Sequence, residues 1–174
     1  METSEQRKYL NEDIMPTLAE YYLPKGGMVL DIGKSGHWDY RKHFPQPLYD
    51  FLVSDNNPKL EPNVVDDITR SGFYDERFDL IICNGVFEQI TGGILIVQFM
   101  FNELYRILKK DGILVFGSPA IGYPRYGIDR DTGRRLIEED EIEQYLGNKF
   151  KILEKKNFYE NEMFSYQIII TKKL

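Results

Sequence analysis

The segment Val29-Leu30-Asp31-Ile32-Gly33-Lys34-Ser35-Gly36 constrains this chain more than any other. It reads as a short buried strand that runs into an acid and then turns through glycine. A carboxylate is poor strand material. Glycine beside it permits a sharp turn and lets a ligand approach the backbone closely. The two together fit the carboxyl edge of a parallel sheet, where open α/β folds bind polar, nucleoside-bearing ligands.

Further along, apolar runs alternate with helical patterns. A first helix is expected from about Ser4 to Tyr22, ended by Pro24-Lys25-Gly26-Gly27. Strand one covers Met28 to Asp31. A short helix near His37 to His43 stops before Pro45 and Pro47. Strand two is Tyr49 to Ser54, tipped by Asp55. Strand three is Asn63 to Val65, tipped by Asp66-Asp67. Strand four is Phe78 to Cys83, tipped by Asn84.

A helix then runs from about Gly93 to Lys110. Its polar residues Gln98, Asn102, Arg106 and Lys109 fall on one stripe at helical spacing. Asp111-Gly112 closes it, and Ile113 to Gly117 makes strand five. Pro119 to Arg135 reads as a long loop, Glu138 to Leu146 as a helix. Phe150 to Lys156 and Phe164 to Thr171 read as a closing strand pair joined by a polar turn. Parallel strands need crossover connections, so this alternation argues for a parallel sheet with helices on both faces.

The length of 174 residues fits one domain, 1–174, with an N-terminal helix in 1–24 and the α/β core in 25–174. A hydrophobic share of 42% and a charged share of 29% suit a soluble globular protein. The net charge of −6 argues against nucleic acid as a partner, because phosphate neutralisation needs a basic surface. The lone Cys83 cannot form an intrachain disulfide and sits in an apolar run, so its expected role is packing. Met1 to Met15 is too polar for a secretory signal, and the run Ile94 to Met100 is too short to cross a bilayer. The expectation is a cytoplasmic protein without a membrane partner.

Four segments, in order, carry a family resemblance. They are Val29 to Gly33, Asp55 after Phe51 to Ser54, Phe78 to Ile90, and Leu104 to Leu114. Together they resemble the motifs of S-adenosylmethionine-dependent methyltransferases with the Rossmann-like fold. The resemblance implies an α/β three-layer sandwich, with a seven-stranded, mostly parallel sheet and an antiparallel C-terminal strand. It also implies S-adenosylmethionine as cofactor. The chain departs from the pattern after the first acid. Where the family often has three alternating glycines, this chain has Gly33, Ser35 and His37, with Gly36 out of phase. The fourth-strand motif, commonly Leu-Glu-His, here reads Phe87-Glu88-Gln89.

The resemblance assigns cofactor contacts residue by residue. Asp31 would lie near the methionine end of the cofactor, with Gly33 and Ser35 lining the same loop. Asp55 would accept hydrogen bonds from the ribose hydroxyls, as acids at strand tips do in dinucleotide sites. Asp67 and the Ile68 amide would read adenine, although Asp67 can equally cap the following turn. Asn84 would face the sulfonium side. Lys34 would pair with a carboxylate or stay solvated.

The cofactor's methyl group is already activated, so the protein mainly has to align donor and acceptor and sometimes remove a proton. His37 and Tyr126 are the candidates for that proton. Glu88 can belong to the acceptor pocket or cap a turn. Tyr123 and Asp129, with Arg125, Arg130, Arg134 and Arg135, crowd the loop after strand five, which suits a small anionic acceptor. No metal-ligand spacing stands out.

Methylation of an oxygen or nitrogen on a small molecule is the leading reading. The alternative is a non-catalytic binding or assembly module on the same scaffold, because helix residues 94–101 hold more apolar surface than one sheet face needs. That surplus leaves room for a homodimer. A nicotinamide dehydrogenase fits less well, since Asp31 stands where its glycine loop would begin. A nucleic-acid methyltransferase lacks its Asn-Pro-Pro-aromatic motif, since Asn56-Asn57-Pro58 follows strand two rather than strand four.

Overall fold

The computed structural model describes residues 5–34, 39–90, 93–121, 137–138, 141–161 and 164–174. Its sheet contains β1 (Gly27–Ile32), β2 (Tyr49–Asp55), β3 (Val64–Val65), β4 (Phe78–Asn84), β5 (Leu108–Ile121), β7 (Phe150–Asn161) and β8 (Phe164–Lys173). They lie in the order β3-β2-β1-β4-β5-β8-β7, and a two-residue strand, β6 (Ile137–Glu138), pairs beside the far end of β5. β1 to β5 pair in parallel, and β8 runs antiparallel to both β5 and β7. The expected seven-stranded, mostly parallel Rossmann-like sheet with an antiparallel closing strand is therefore present.

The reversal of strand order falls between β1 and β4. Crossovers on the two sides of that point leave in opposite directions and open a crevice at the carboxyl rim.

Successive strand residues feed opposite layers, because side chains alternate across a strand. Val29, Leu80, Ile82, Ile113, Val115, Ile168 and Ile170 join one buried cluster. Leu30, Ile32, Ile81, Cys83, Leu114, Phe116 and Ile169 join the other. The first cluster is covered by the N-terminal helical stretch 5–22 through Leu10, Ile14, Met15 and Leu18, and by Tyr40 and Phe44. The second is covered by α3 (Gly93–Ile107) and α4 (Glu141–Leu146), through Val97, Met100, Phe101, Leu104 and Ile142.

Several boundaries differ from the sequence reading, each for a physical reason. The first helix is one stretch but not one hydrogen-bond pattern. It runs α1 (Glu5–Lys8), a π-helical segment (Tyr9–Ile14), α2 (Met15–Thr17) and a second π-helical segment (Leu18–Tyr22). Pro16 falls at the start of α2. It lacks an N–H and would crowd the carbonyl four residues back, and the wider π turn before it relieves that clash.

The helix expected to reach Lys110 ends at Ile107. Leu108 is taken into the sheet against Phe78, and the Arg106 and Ile107 carbonyls accept from the Glu76 and Arg77 amides. Glu138, expected in a helix, lies in β6 opposite Ile121, and the helix begins at Glu141. Of the helix expected at His37 to His43, residues 35–38 lie outside the described residues, and Arg41–His43 is a single 3-10 turn. β7 and β8 are longer than expected because they pair with each other from Phe150↔Lys173 to Asn161↔Phe164.

Candidate functional site

Asp31 sits on β1 next to the rim, with Val53 of β2 and Ile82 of β4 as its neighbours. It is 7% exposed. No described residue hydrogen-bonds its carboxyl. Burial pushes its pKa well above the ordinary carboxylate range, Asp39 adds to the rise, and Arg41 opposes it. A buried acid held this way favours its neutral form until a cation arrives.

Gly33 turns the chain away from the strand at φ 91°, a conformation that favours glycine. Its N–H donates to the Ser54 carbonyl at 2.8 Å, which locks the β1 loop to the end of β2. A side chain here would start 2.8 Å from Val86 Cγ2, so the loop after β1 and the loop after β4 touch.

Asp55 closes β2 and braces two loops with one carboxylate. Oδ2 accepts from the Lys34 amide and Oδ1 from the Asn57 amide, each at 2.8 Å. Each oxygen keeps a further lone-pair site. Lys34 sends its ammonium to the Glu61 carbonyl at 2.6 Å.

Asp67 caps the short turn Ile68–Arg70. Its Oδ1 accepts from the Thr69 amide at 3.0 Å and from the Thr69 hydroxyl at 2.8 Å, and Arg70 stands 3.4 Å from Oδ2. Burial pulls its pKa up, but the Thr69 hydrogen bonds and the Arg70 charge outweigh it and hold the carboxyl below its ordinary value. Asp66 instead accepts from the Gly72 amide. Ile68 is buried in the α3-side cluster.

Asn84, at the tip of β4, is held between two tyrosines. Its Nδ2 donates to Tyr40 Oη at 3.1 Å, and Tyr166 Oη donates to its Oδ1 at 2.8 Å. Gly117 of β5 faces Asn84 in register, and a Cβ there would fall 2.0 Å from Asn84 Oδ1. Only a residue without a side chain leaves room for that amide. Burial pushes the pKa of both tyrosines up; the Asp31 charge adds to the shift at Tyr40, and Glu88 to that at Tyr166. Both phenols therefore remain protonated donors near neutral pH. Glu88 follows on the turn Phe87–Gln89 and is 8% exposed.

The described residues thus bring Asp31, Gly33, Asp55 and Asn84 to one rim, with Asp67 and Ile68 one strand further out. Of the site residues expected from the sequence, Ser35, His37 and Tyr126, together with Tyr123, Asp129 and the arginines of that loop, lie outside the described residues. Tyr40, Tyr166 and Gly117 escaped the sequence reading. Tyr166 carried one faint signal, a polar-tipped ring opening the apolar run Ile168-Ile169-Ile170. Among the described residues, no group of acids, histidines and cysteine has the arrangement of a metal site. No helix among them is long and apolar enough to cross a membrane.

Residues 49–116 match the model of a family described as a methyltransferase domain. No curated protein matches the chain. Solved structures do. An S-adenosylmethionine-dependent methyltransferase from Methanosarcina mazei is 17% identical, with a TM-score of 0.70 over 90% of this chain and 97% of that one. The [4+2]-cyclase SpnF is 13% identical, with a TM-score of 0.76 over 98% of this chain and 84% of that one. The 1,6-didemethyltoxoflavin N1-methyltransferase of Burkholderia thailandensis, solved with 1,6-didemethyltoxoflavin and S-adenosylhomocysteine, is 13% identical. Its TM-score is 0.67 over 92% of this chain and 77% of that one. The chain has the Rossmann-like fold of these solved structures, and about two fifths of it, residues 49–116, matches a methyltransferase domain model.

Proposed function

We propose that this protein is an S-adenosylmethionine-dependent methyltransferase that methylates an oxygen or nitrogen of a small molecule. The observation that carries the reading is the pair of acids on neighbouring strands. Asp31 and Asp55 lie on β1 and β2, and the Gly33 turn between them is tied to Ser54. Asp31 offers a buried carboxyl to a cationic group, and Asp55 offers free lone pairs to a diol while its backbone bonds hold it still. These are the demands of an amino-acid nucleoside lying across the rim.

In this reading Asp31 contacts the methionine end, Gly33 and Ser35 line its loop, and Asp55 holds the ribose. Asp67 and the Ile68 amide meet adenine, and Asn84 orders the tyrosines near the sulfur. Bound there, the cofactor supplies an activated methyl group. The chain's own work is to hold, orient and exclude water. Tyr40 and Tyr166, as protonated donors, fix the floor. His37 and Tyr126 are proposed for proton removal. The protein would work in the cytoplasm as one domain.

Titration calorimetry tests this directly. S-adenosylmethionine and S-adenosylhomocysteine should both bind, and absence of binding at millimolar concentration overturns the reading. Transfer of a labelled methyl group into a metabolite extract then separates catalysis from binding alone. The second reading, a binding or assembly module that takes no part in methyl transfer, is favoured by one observation. Leu95 and Phe99, four residues apart on α3, are 63% and 51% exposed. Cofactor binding without turnover, together with self-association seen by light scattering, would support it.

A further inference from the structure

Asp31 differs from Asp55, Asp66, Asp67 and Asp79 in what holds it. Asp55 takes the Lys34 and Asn57 amides, Asp66 the Gly72 amide, and Asp67 the Thr69 amide and hydroxyl. Asp79 takes the Met28 amide and the Lys109 ammonium. Each of these keeps its charge on a set of donors. Asp31 takes a hydrogen bond from no described residue, although it is only 7% exposed. Strand alternation puts its side chain on the same face of β1 as the buried Val29. A carboxylate there gives up its water and gains no donor in exchange. The neutral acid is therefore the form that the empty rim favours.

The groups packed round Asp31 do not reverse this. Val53 of β2 and Ile82 of β4 lie beside it and carry no charge. Asp55, two residues past Val53, is turned to its two amides. Asp39 opposes a second negative charge, and Arg41 favours one. The Arg41 guanidinium, however, reaches Asn63 Oδ1 at 3.4 Å and lies 5.8 Å from the centre of the Phe51 ring. Tyr40 is a protonated phenol, on which Arg7 of the N-terminal stretch also acts. Burial keeps the Cys83 thiol of β4 protonated as well.

We propose that Asp31 couples ligand uptake to proton release: its carboxyl holds a proton in the empty rim and gives it to solvent when a ligand's ammonium pairs with it. The inference rests on the cofactor reading above, which brings an α-amino group to this carboxyl. The carboxyl O–H bond breaks, its proton enters solvent, and the carboxylate left behind pairs with the ammonium. The carboxyl is thus neutral before uptake, and part of a neutral ion pair after it. An amine that arrived uncharged would take the proton itself and release none. The sign of the pH dependence follows. A rise in pH strips the empty site of a proton that the ligand would otherwise have to displace, so uptake tightens as pH rises.

The test is titration calorimetry of the full chain with S-adenosylhomocysteine, which carries the α-amino group and no sulfonium. It is run between about pH 5.5 and about pH 7, where an α-amino group stays protonated. Repeating each titration in two buffers of different ionisation enthalpy counts the protons released. The wild-type protein should release up to about one proton per ligand, and its affinity should rise by up to about tenfold per pH unit. Asp31→Asn has no proton to give, so it should bind more weakly, release none and show affinity that is flat with pH. Wild-type binding without proton release overturns the proposal, and so does equal release by the variant. Should the variant fail to fold or to bind, the wild-type slope decides: affinity that stays flat or falls as pH rises overturns it. A wild-type chain that does not bind S-adenosylhomocysteine at any pH overturns the cofactor reading itself, a separate and recognisable failure.

Discussion

Tyr166 and Asn84 are 82 residues apart in the chain, yet the Tyr166 hydroxyl donates to Asn84 Oδ1 at 2.8 Å. The bond ties the antiparallel strand β8 to the tip of β4 across the end of β5. It fixes which way the Asn84 amide faces, and with it the donor that Asn84 offers to Tyr40. The last long strand of the sheet thereby sets the floor of a crevice whose other walls come from its first half.

Removing that hydroxyl isolates its contribution. Tyr166→Phe leaves the ring packed and takes away one buried hydrogen bond. The expected loss is about 1–2 kcal/mol. For a chain of this size that corresponds to a fall in Tm of roughly 2–8 °C. Differential scanning calorimetry checks it; an unchanged Tm would mean that Asn84 finds another donor at no cost.

Gly117→Ala presses on the same amide from β5. The added Cβ would lie 2.0 Å from Asn84 Oδ1, so either Asn84 rotates away from both tyrosines or the strands part. Overpacking of a buried site costs about 1–3 kcal/mol. The double variant Gly117→Ala with Asn84→Ala should recover part of the loss. Strict additivity of the two losses in chemical denaturation would show that the clash lies elsewhere.

Asp31→Asn should stabilise the fold at neutral pH while it harms ligand binding. The sign follows from the raised pKa of Asp31. The folded chain holds a proton there that the unfolded chain gives up near the ordinary value of about 3.9. The stability gained from that proton is complete below this value and fades as pH climbs through the raised folded pKa. An amide needs no proton, so the variant should flatten this stretch of the stability curve. Stability against pH, measured by denaturant titration, should converge for the two proteins at acid pH and diverge above it. Parallel curves would refute the assignment.

Asp55→Ala removes the acceptor for both the Lys34 and the Asn57 amides. The loops at the ends of β1 and β2 lose their shared brace. Loss of a charged hydrogen-bonding group of this kind costs about 1.5–3 kcal/mol, so the proposed nucleoside should bind roughly ten- to a hundredfold more weakly. Asp55→Asn keeps one acceptor oxygen and should fall between. Equal affinity for S-adenosylhomocysteine in all three proteins, by calorimetry, would remove Asp55 from the site.

The order of the elements was legible because its signals are local. Acids or an amide at the tips of four apolar runs mark where strands end, and glycine at position 33 marks a turn that other residues take at a cost. These features depend on a few neighbouring residues, so they survive reading in one dimension. The boundaries that went astray were set by pairing across the sheet. Leu108 has helical neighbours in sequence but a strand partner in Phe78, and Glu138 lies opposite Ile121. Register between strands far apart in the chain overrides local preference.

The candidate site divides along the same line. Asp31 and Asp55 could be named in advance because each is the wrong residue for the strand it ends. Tyr40, Tyr166 and Gly117 could not, because each acts through Asn84 from a different part of the chain. The amino-acid order by itself determined a parallel α/β sheet with an acid-lined carboxyl rim. Only the folded structure decided which phenols share one amide, which carboxyl braces loops and which is buried with no hydrogen bond from a described residue. The physical reason is that strand endings are written in neighbouring residues, whereas hydrogen bonding and desolvation depend on what the finished sheet brings within about 3 Å.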